Sequence, residues 1–445
     1  MRKLVLLGLV QGLFLLAGCG GGSSGLVSAP SNNGSGSGGQ GANAVTMKVD
    51  SGPDPTMGYD VDTPFITVTV CAPGSTTNCQ QIDHVEVDTG SYGFRIISSV
   101  LNTSVASALQ QEVGTGGNPI VECTGFADGF SWGPIKVADV EIAGESASNV
   151  PIQVIGDPSF ENEIPANCSG EGNKEDTVAL FGANAILGVG PFADDCGNGC
   201  ATTPANGWYY TCPANGMSTT SCAGVAQSEI DQVTDPVTDF QTDNNGVIVQ
   251  LPSTSEGAAS ATGTLIFGIG TASNNMKGSE TVYTASQSYG DVSATYTTQG
   301  GQQLVLPYSY FDTGSNAYYF ADGSIPSFTG CSSYPGYDTK KPQSWFCPGS
   351  ELKLSAMVTG QNAAQTTVDF SVGNAYTLFN SSATGTVFND LGASSGPPPT
   401  DCVAQTTTDT ACAFDFGFPF FLGRNVFIAF AGANTAWGPG PYFAY

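Results

Sequence analysis

Residues 82–91 read IDHVEVDTGS and residues 304–315 read LVLPYSYFDTGS. Each is a short, β-prone run that ends in Asp-Thr-Gly-Ser. Asp88-Thr89-Gly90-Ser91 closes the first, and Asp312-Thr313-Gly314-Ser315 closes the second, 224 residues further on. Side chains alternate across a strand. A regular first strand therefore sets Val85 and Val87 on one face, and His84, Glu86 and Asp88 on the other. An apolar-apolar-Gly element follows each motif at a comparable distance: Ala185-Ile186-Leu187-Gly188 in the first half and Phe421-Leu422-Gly423 in the second. One such motif in a Ser/Thr/Gly-rich chain is a turn signal. Two, each with a matching partner, mean one structural unit used twice.

The surrounding composition sets the class. Of 445 residues, 40% are hydrophobic and 11% charged, and 59 glycines and 26 prolines accompany many Thr, Val, Tyr and Phe. That reads as an all-β protein with many turns. The length exceeds what one hydrophobic core serves, so about two domains are expected. Acidic side chains number 38 against 11 basic, for a net charge of −27. Without a basic run the chain cannot neutralise phosphates, which argues against a nucleic-acid partner. The single histidine, His84, excludes a zinc site with two or three His ligands and limits any Ser-His or Cys-His chemistry to one position. Carboxylates are the plentiful acid/base groups, so hydrolytic chemistry here is carboxylate chemistry, with no metal and no cofactor expected.

The N-terminus reads as a processing signal over residues 1–18: Arg2 and Lys3, an apolar run over 4–16, then Leu16-Ala17-Gly18-Cys19. The last four residues resemble a bacterial lipobox. The resemblance implies cleavage before Cys19, lipidation of its thiol and a membrane tether. Gly20 in place of Asp implies the outer membrane. Residues 19–45 are rich in Gly, Ser and Asn and read as a flexible spacer. Thirteen cysteines minus the lipidated one leave twelve, consistent with up to six disulfides in an exported protein. Pairing in chain order (71/79, 123/168, 196/200, 212/222, 331/347, 402/412) closes the shortest loops and is the simplest arrangement. Other connectivities stay open, as does a metal site at Cys196, Cys200, Cys212 and Cys222.

On its two Asp-Thr-Gly-Ser motifs, the chain resembles the pepsin-like aspartic proteases, and also a group of bacterial lipoproteins bearing the same motifs. The likeness runs from about residue 60 to the end. It includes residues 264–269 (TLIFGI), 421–430 (FLGRNVFIAF) and 139–144 (DVEIAG). It implies an all-β, bilobal fold of two similar β-barrel-like lobes with a cleft between them. The N-terminal lobe would span 46–245, with a Cys-rich insertion over about 194–226, and the C-terminal lobe 246–445. It further implies a monomeric endopeptidase acting on a peptide or protein substrate. Asp88 and Asp312 would be the catalytic pair. Thr89 and Thr313 would cross-link the two loops, Gly90 and Gly314 would permit the sharp bends, and Ser91 and Ser315 would hydrogen-bond the outer carboxylate oxygens. Two facing carboxylates suffice for such chemistry: they cannot both ionise, so they share a proton, one member accepting from water and the other donating to the scissile carbonyl.

Two positions depart from the family pattern. Phe126-Ala127-Asp128-Gly129 falls at the tip of the family's flap, so Phe126 stands where a tyrosine is usual. Arg95 stands seven residues after Asp88, where the tyrosine's tryptophan partner is usual. Arg95 would favour an acidic substrate side chain or lower a nearby carboxylate, or else pair with a surface acid. These departures motivate an alternative, a pepsin-like lipoprotein that binds or inhibits without cleaving. A third reading, an adhesive or carbohydrate-binding β protein, treats both motifs as turns. His84 reads as a hydrogen-bonded structural histidine, Phe130 and Trp132 as flap aromatics, and residues 98–111 as one helix.

Overall fold

The structure is a computed structural model describing residues 41–54, 61–127, 129–161, 164–170, 172–204, 208–213, 222–333, 344–382, 384–399, 402 and 410–445. The signal, Cys19, most of the spacer and Asp128 lie outside the described residues.

Each half is built around the same crossing of strands. In the first, Cys79–Asp88 runs into Asp-Thr-Gly-Ser and the chain returns as Tyr92–Ile97. Ala185–Val189 then wedges between them, parallel to the first (Gly188 beside Asp88) and antiparallel to the second (Ile186 beside Arg95). In the second half, Gln303–Phe311 runs into Asp-Thr-Gly-Ser and returns as Tyr318–Phe320. Asp415–Phe416 wedges between these, parallel to the first (Phe416 beside Phe311) and antiparallel to the second (Asp415 beside Tyr319). A further parallel strand flanks each return strand: Glu145–Ile155 on Tyr92–Ile97, and Gly392–Ser394 on Tyr318–Phe320. The expected all-β, two-lobed architecture is therefore present as a duplicated topology.

The second wedge corrects the sequence reading. The counterpart of Gly188 is Gly417, not Gly423. A Cβ on Gly188 would lie 2.5 Å from the Tyr92 nitrogen, and one on Gly417 would lie 1.9 Å from the Ala317 carbonyl oxygen. Both glycines are required by the close approach of the return strand. Phe421-Leu422-Gly423 instead ends the 3-10 turn Phe418–Phe421 and leads into strand Asn425–Ala429. The motif was hidden because Asp415 occupies the first apolar position of the true wedge.

The halves share one antiparallel sheet. Ala44–Val49 pairs with Ala261–Phe267, which continues through Gly246–Gln250, Asn425–Ala429 and Tyr442–Ala444 to Val282–Thr284. The six cysteine pairs form in chain order. The expected helix over 98–111 is shorter: a 3-10 turn, Ser98–Val100, precedes the α-helix Thr103–Ala108. Asn102 caps that helix through the Val105 N–H, and Leu109 returns to extended backbone, so residues 110–111 pair as a strand instead.

Candidate active site

The two Asp-Thr-Gly-Ser turns meet between the halves through four reciprocal hydrogen bonds. The Thr89 hydroxyl donates to the Phe311 carbonyl (2.9 Å) and accepts from the Thr313 N–H (3.0 Å). The Thr313 hydroxyl donates to the Val87 carbonyl (2.5 Å) and accepts from the Thr89 N–H (3.1 Å). Both threonines are buried, so these bonds form away from competing water.

This joint sets Asp88 and Asp312 face to face. A Cβ on Gly90 would fall 2.3 Å from an Asp312 carboxyl oxygen, and one on Gly314 would fall 2.6 Å from Asp88 Oδ1. Each turn's glycine thus makes room for the other turn's carboxyl group. Gly90 N–H donates to Asp88 Oδ1 and Gly314 N–H to Asp312 Oδ1, each at 2.7 Å. Ser315 takes its expected place: its N–H lies 3.2 Å from Asp312 Oδ1 and its hydroxyl 3.1 Å from Oδ2. Ser91 does not. Its buried hydroxyl has no hydrogen-bond partner among the described residues, and its carbonyl is held by the Gly190 N–H at 2.9 Å. The two turns are therefore chemically unequal. Burial pushes the Asp312 carboxyl well above its ordinary range, helped by the charge of Asp88, the charge of Asp415 and a hydrogen bond shared with Asp88.

Asp415 is a residue that sequence reasoning passed over. Phe311, Phe414 and Phe416 stack in the core, so alternation sets Tyr310, Asp312 and Asp415 on the opposite face. The equivalent position in the first half is Ile186. Beside one aspartate the wedge strand thus presents an apolar side chain, and beside the other a carboxyl group.

The segment expected to be a flap is a hairpin of Ile120–Gly125 and Gly129–Ile142. At its tip the Phe126 N–H donates to the Gly129 carbonyl at 2.8 Å, and the Phe126 ring meets Phe181 edge-on at 5.6 Å. Arg95 is 1% exposed, so it is neither a surface nor a substrate-facing cation, and of the roles expected of it the lowering of a nearby carboxylate fits its place. Its Nη2 donates to Glu122 Oε1 and Asp195 Oδ2, both at 2.8 Å. Its Nη1 donates to the Tyr92 carbonyl (2.6 Å), and its Nε to the Thr124 hydroxyl (3.2 Å). Tyr209 completes the group, donating to Asp195 Oδ1 at 2.7 Å and accepting from the Val233 N–H at 2.8 Å. Burial pushes Asp195 well up, with the Glu122 charge adding to it. Burial acts most strongly on Glu122 and would raise it, but the Arg95 charge and the hydrogen bonds with Asp195, Arg95 and Thr124 together outweigh burial, and the net direction is down. Of the two acids facing this one cation, Glu122 therefore ionises more readily than Asp195.

His84 lies apart from this chemistry. Its backbone takes φ of 47° at an irregularity between Ile82 and Val85, and its ring meets Phe65, the cross-strand partner of Glu86, edge-on at 5.2 Å, so it keeps the expected face. Its imidazole sits 3.3 Å from Asp50 and from Asp83. Among the described residues, no group of three or more His, Cys, Asp or Glu side chains could hold a metal ion. No helix among them is long and apolar enough to cross a membrane.

These features define a class: a bilobal, all-β protein whose halves each supply one Asp-Thr-Gly-Ser turn to a common centre. The chain belongs to the family described as "Protein of unknown function (DUF3443)", whose model matches residues 39–445. No curated protein matches it. Among solved structures it is similar to the crystal structure of aspartic proteinase from Irpex lacteus, at 14% identity and a TM-score of 0.48, over 90% of this chain and 96% of that one.

Proposed function

We propose that the protein is an aspartic endopeptidase in which Asp88 and Asp312 activate one water for attack on a peptide bond. One observation carries this reading: the reciprocal Thr89–Thr313 joint holds two carboxyl groups, each nearly buried, against each other. Two such carboxyls share one proton, and the titration belongs to the pair. With the proton held by Asp312, the ionised member accepts a proton from water as the oxygen attacks the carbonyl carbon. Asp312 donates to the carbonyl oxygen; the tetrahedral intermediate then collapses, the amine leaves with the proton that the other carboxyl took from water, and a diol hydroxyl returns a proton to Asp312. The reading extends to a monomer acting on an extended peptide or protein, tethered to the bacterial outer membrane through lipidated Cys19. The N-terminal sequence pattern supports the tether.

A second reading has its own support. Phe126 brings no hydroxyl to the flap, Ser91 leaves Asp88 without the hydroxyl bond that Ser315 gives Asp312, and Arg95 is taken up elsewhere. A binding module of the same fold is therefore the competing outcome. Incubating the purified chain with a broad peptide library from pH 3 to 7 separates the two. The endopeptidase reading expects cleavage that a statine-type inhibitor stops. An intact library at every pH supports the binding module.

A further inference from the structure

The flap of this protein is more than a two-stranded arm. Tyr209–Thr211 pairs along its first strand, with Tyr209 beside Glu122 and Tyr210 beside Val121, and Ala223–Gly224 pairs outside that. Asn173–Lys174 pairs with residues 129–130 on the other edge. The hairpin is thereby the middle of a five-strand layer. An isolated hairpin is marginal in water, whereas three or more strands with an apolar face are stable. This layer has such a face: Val121, Phe130, Trp132, Phe160 and Tyr210 form a cluster separate from the main core. Trp132 Nε1 donates to the Phe160 carbonyl at 3.0 Å, and Cys123–Cys168 ties the first flap strand to the short helix Ala166–Ser169.

Arg95 connects this layer to the catalytic strands. Phe94 and Ile96 point into the core of the first lobe, so Arg95 stands on the opposite face, the one that carries Asp88. From there it reaches Glu122 and Thr124 on the flap and Asp195 in the Cys-rich segment. We propose that the flap is a fixed roof rather than a moving arm, with Arg95 as its positioning residue and the Cys-rich segment as its buttress. On the endopeptidase reading above, a roof that does not lift admits substrate by threading from a chain end. The preferred substrate class is then linear, unfolded polypeptide, and closed loops are excluded.

Hydrogen exchange on the full chain, read by mass spectrometry, tests this without reference to activity. Flap amides 120–125 and 129–133 are expected to exchange as slowly as those of Glu145–Ile155. Arg95→Met/Glu122→Gln removes both charges together and should speed flap exchange on the order of 100-fold, leaving the strands of the second half unchanged. Tyr209→Phe, a milder change if the double variant does not fold, should speed it on the order of 10-fold. Flap amides that exchange in the wild type like those of exposed turns, or that ignore both substitutions, would overturn the proposal. A linear peptide and its head-to-tail cyclised form, offered to the wild type, test the threading. The linear form alone should be cut, and equal cleavage of both counts against a fixed roof. A protein that cuts neither refutes the endopeptidase reading and leaves the exchange result to decide on the roof.

Discussion

Replacing Thr313 by valine isolates the joint on which the site depends. Valine matches threonine in shape, so no cavity opens, and the change removes one hydroxyl. That hydroxyl donates to the Val87 carbonyl and accepts from the Thr89 N–H. Each of these backbone groups then loses its partner in a region where Thr313 itself is 0% exposed. An unsatisfied buried polar group costs about 1–3 kcal/mol, so the pair predicts a loss of about 2–6 kcal/mol. That is a large share of a typical folding free energy of about 5–15 kcal/mol. Thr313→Ser keeps the hydroxyl and should cost about 1 kcal/mol, the scale of one buried methyl group. Equilibrium urea unfolding, followed by tryptophan fluorescence, reads both. Thr89→Val should match Thr313→Val, and the double variant should cost less than the sum, because either single change already loosens the same contact. A Thr313→Val protein within about 0.5 kcal/mol of wild type, or two strictly additive losses, would refute the claim that these hydroxyls hold the halves together.

Other outcomes follow from the same geometry. Burial raises the carboxyl of Glu112 to about 8, of Glu256 to about 7 and of Asp194 to about 6. The folded chain thus keeps protons that the unfolded chain releases near pH 4. The stability these three groups contribute is greatest below that pH and is lost as pH rises to about 8, so Glu112→Gln should flatten the upper part of the melting-temperature profile. Asp415→Asn removes a charge that holds the proton on Asp312, and should move the alkaline limb of the pH–rate profile downward by about one unit or less. Gly417→Ala sets a methyl group against the Ala317 carbonyl and should cost more than about 3 kcal/mol in urea unfolding, because rigid backbone cannot give way.

The duplicated motif was legible because its function demands local chemistry: an aspartate, a hydroxyl that reaches across, and a glycine where two backbones meet. The duplication could be read from the sequence itself, and the resemblance to the pepsin-like aspartic proteases implied the role of each residue in it. The cysteine order was legible because short loops close readily. The second wedge strand was not, since Asp415 interrupts the apolar pattern that marks its counterpart at Ile186. Arg95 stands out by its position, but its partners come from residues 92, 122, 124 and 195, and nothing in their sequence spacing announces a shared buried cluster. The irregularity at His84 was not legible, because no glycine or proline there signals it, although His84 still shares the face of Glu86.

The account's central claim is that Asp88 and Asp312 work as one proton-sharing pair. The direct measurement is the rate of hydrolysis of one cleaved peptide at about pH 4 by the wild type, Asp88→Asn and Asp312→Asn, with circular dichroism confirming that each is folded. The account predicts that either substitution lowers the rate by at least ~1000-fold, since neither carboxyl can do the work of both. A folded Asp312→Asn or Asp88→Asn protein that hydrolyses the peptide at a rate near that of the wild type would contradict it.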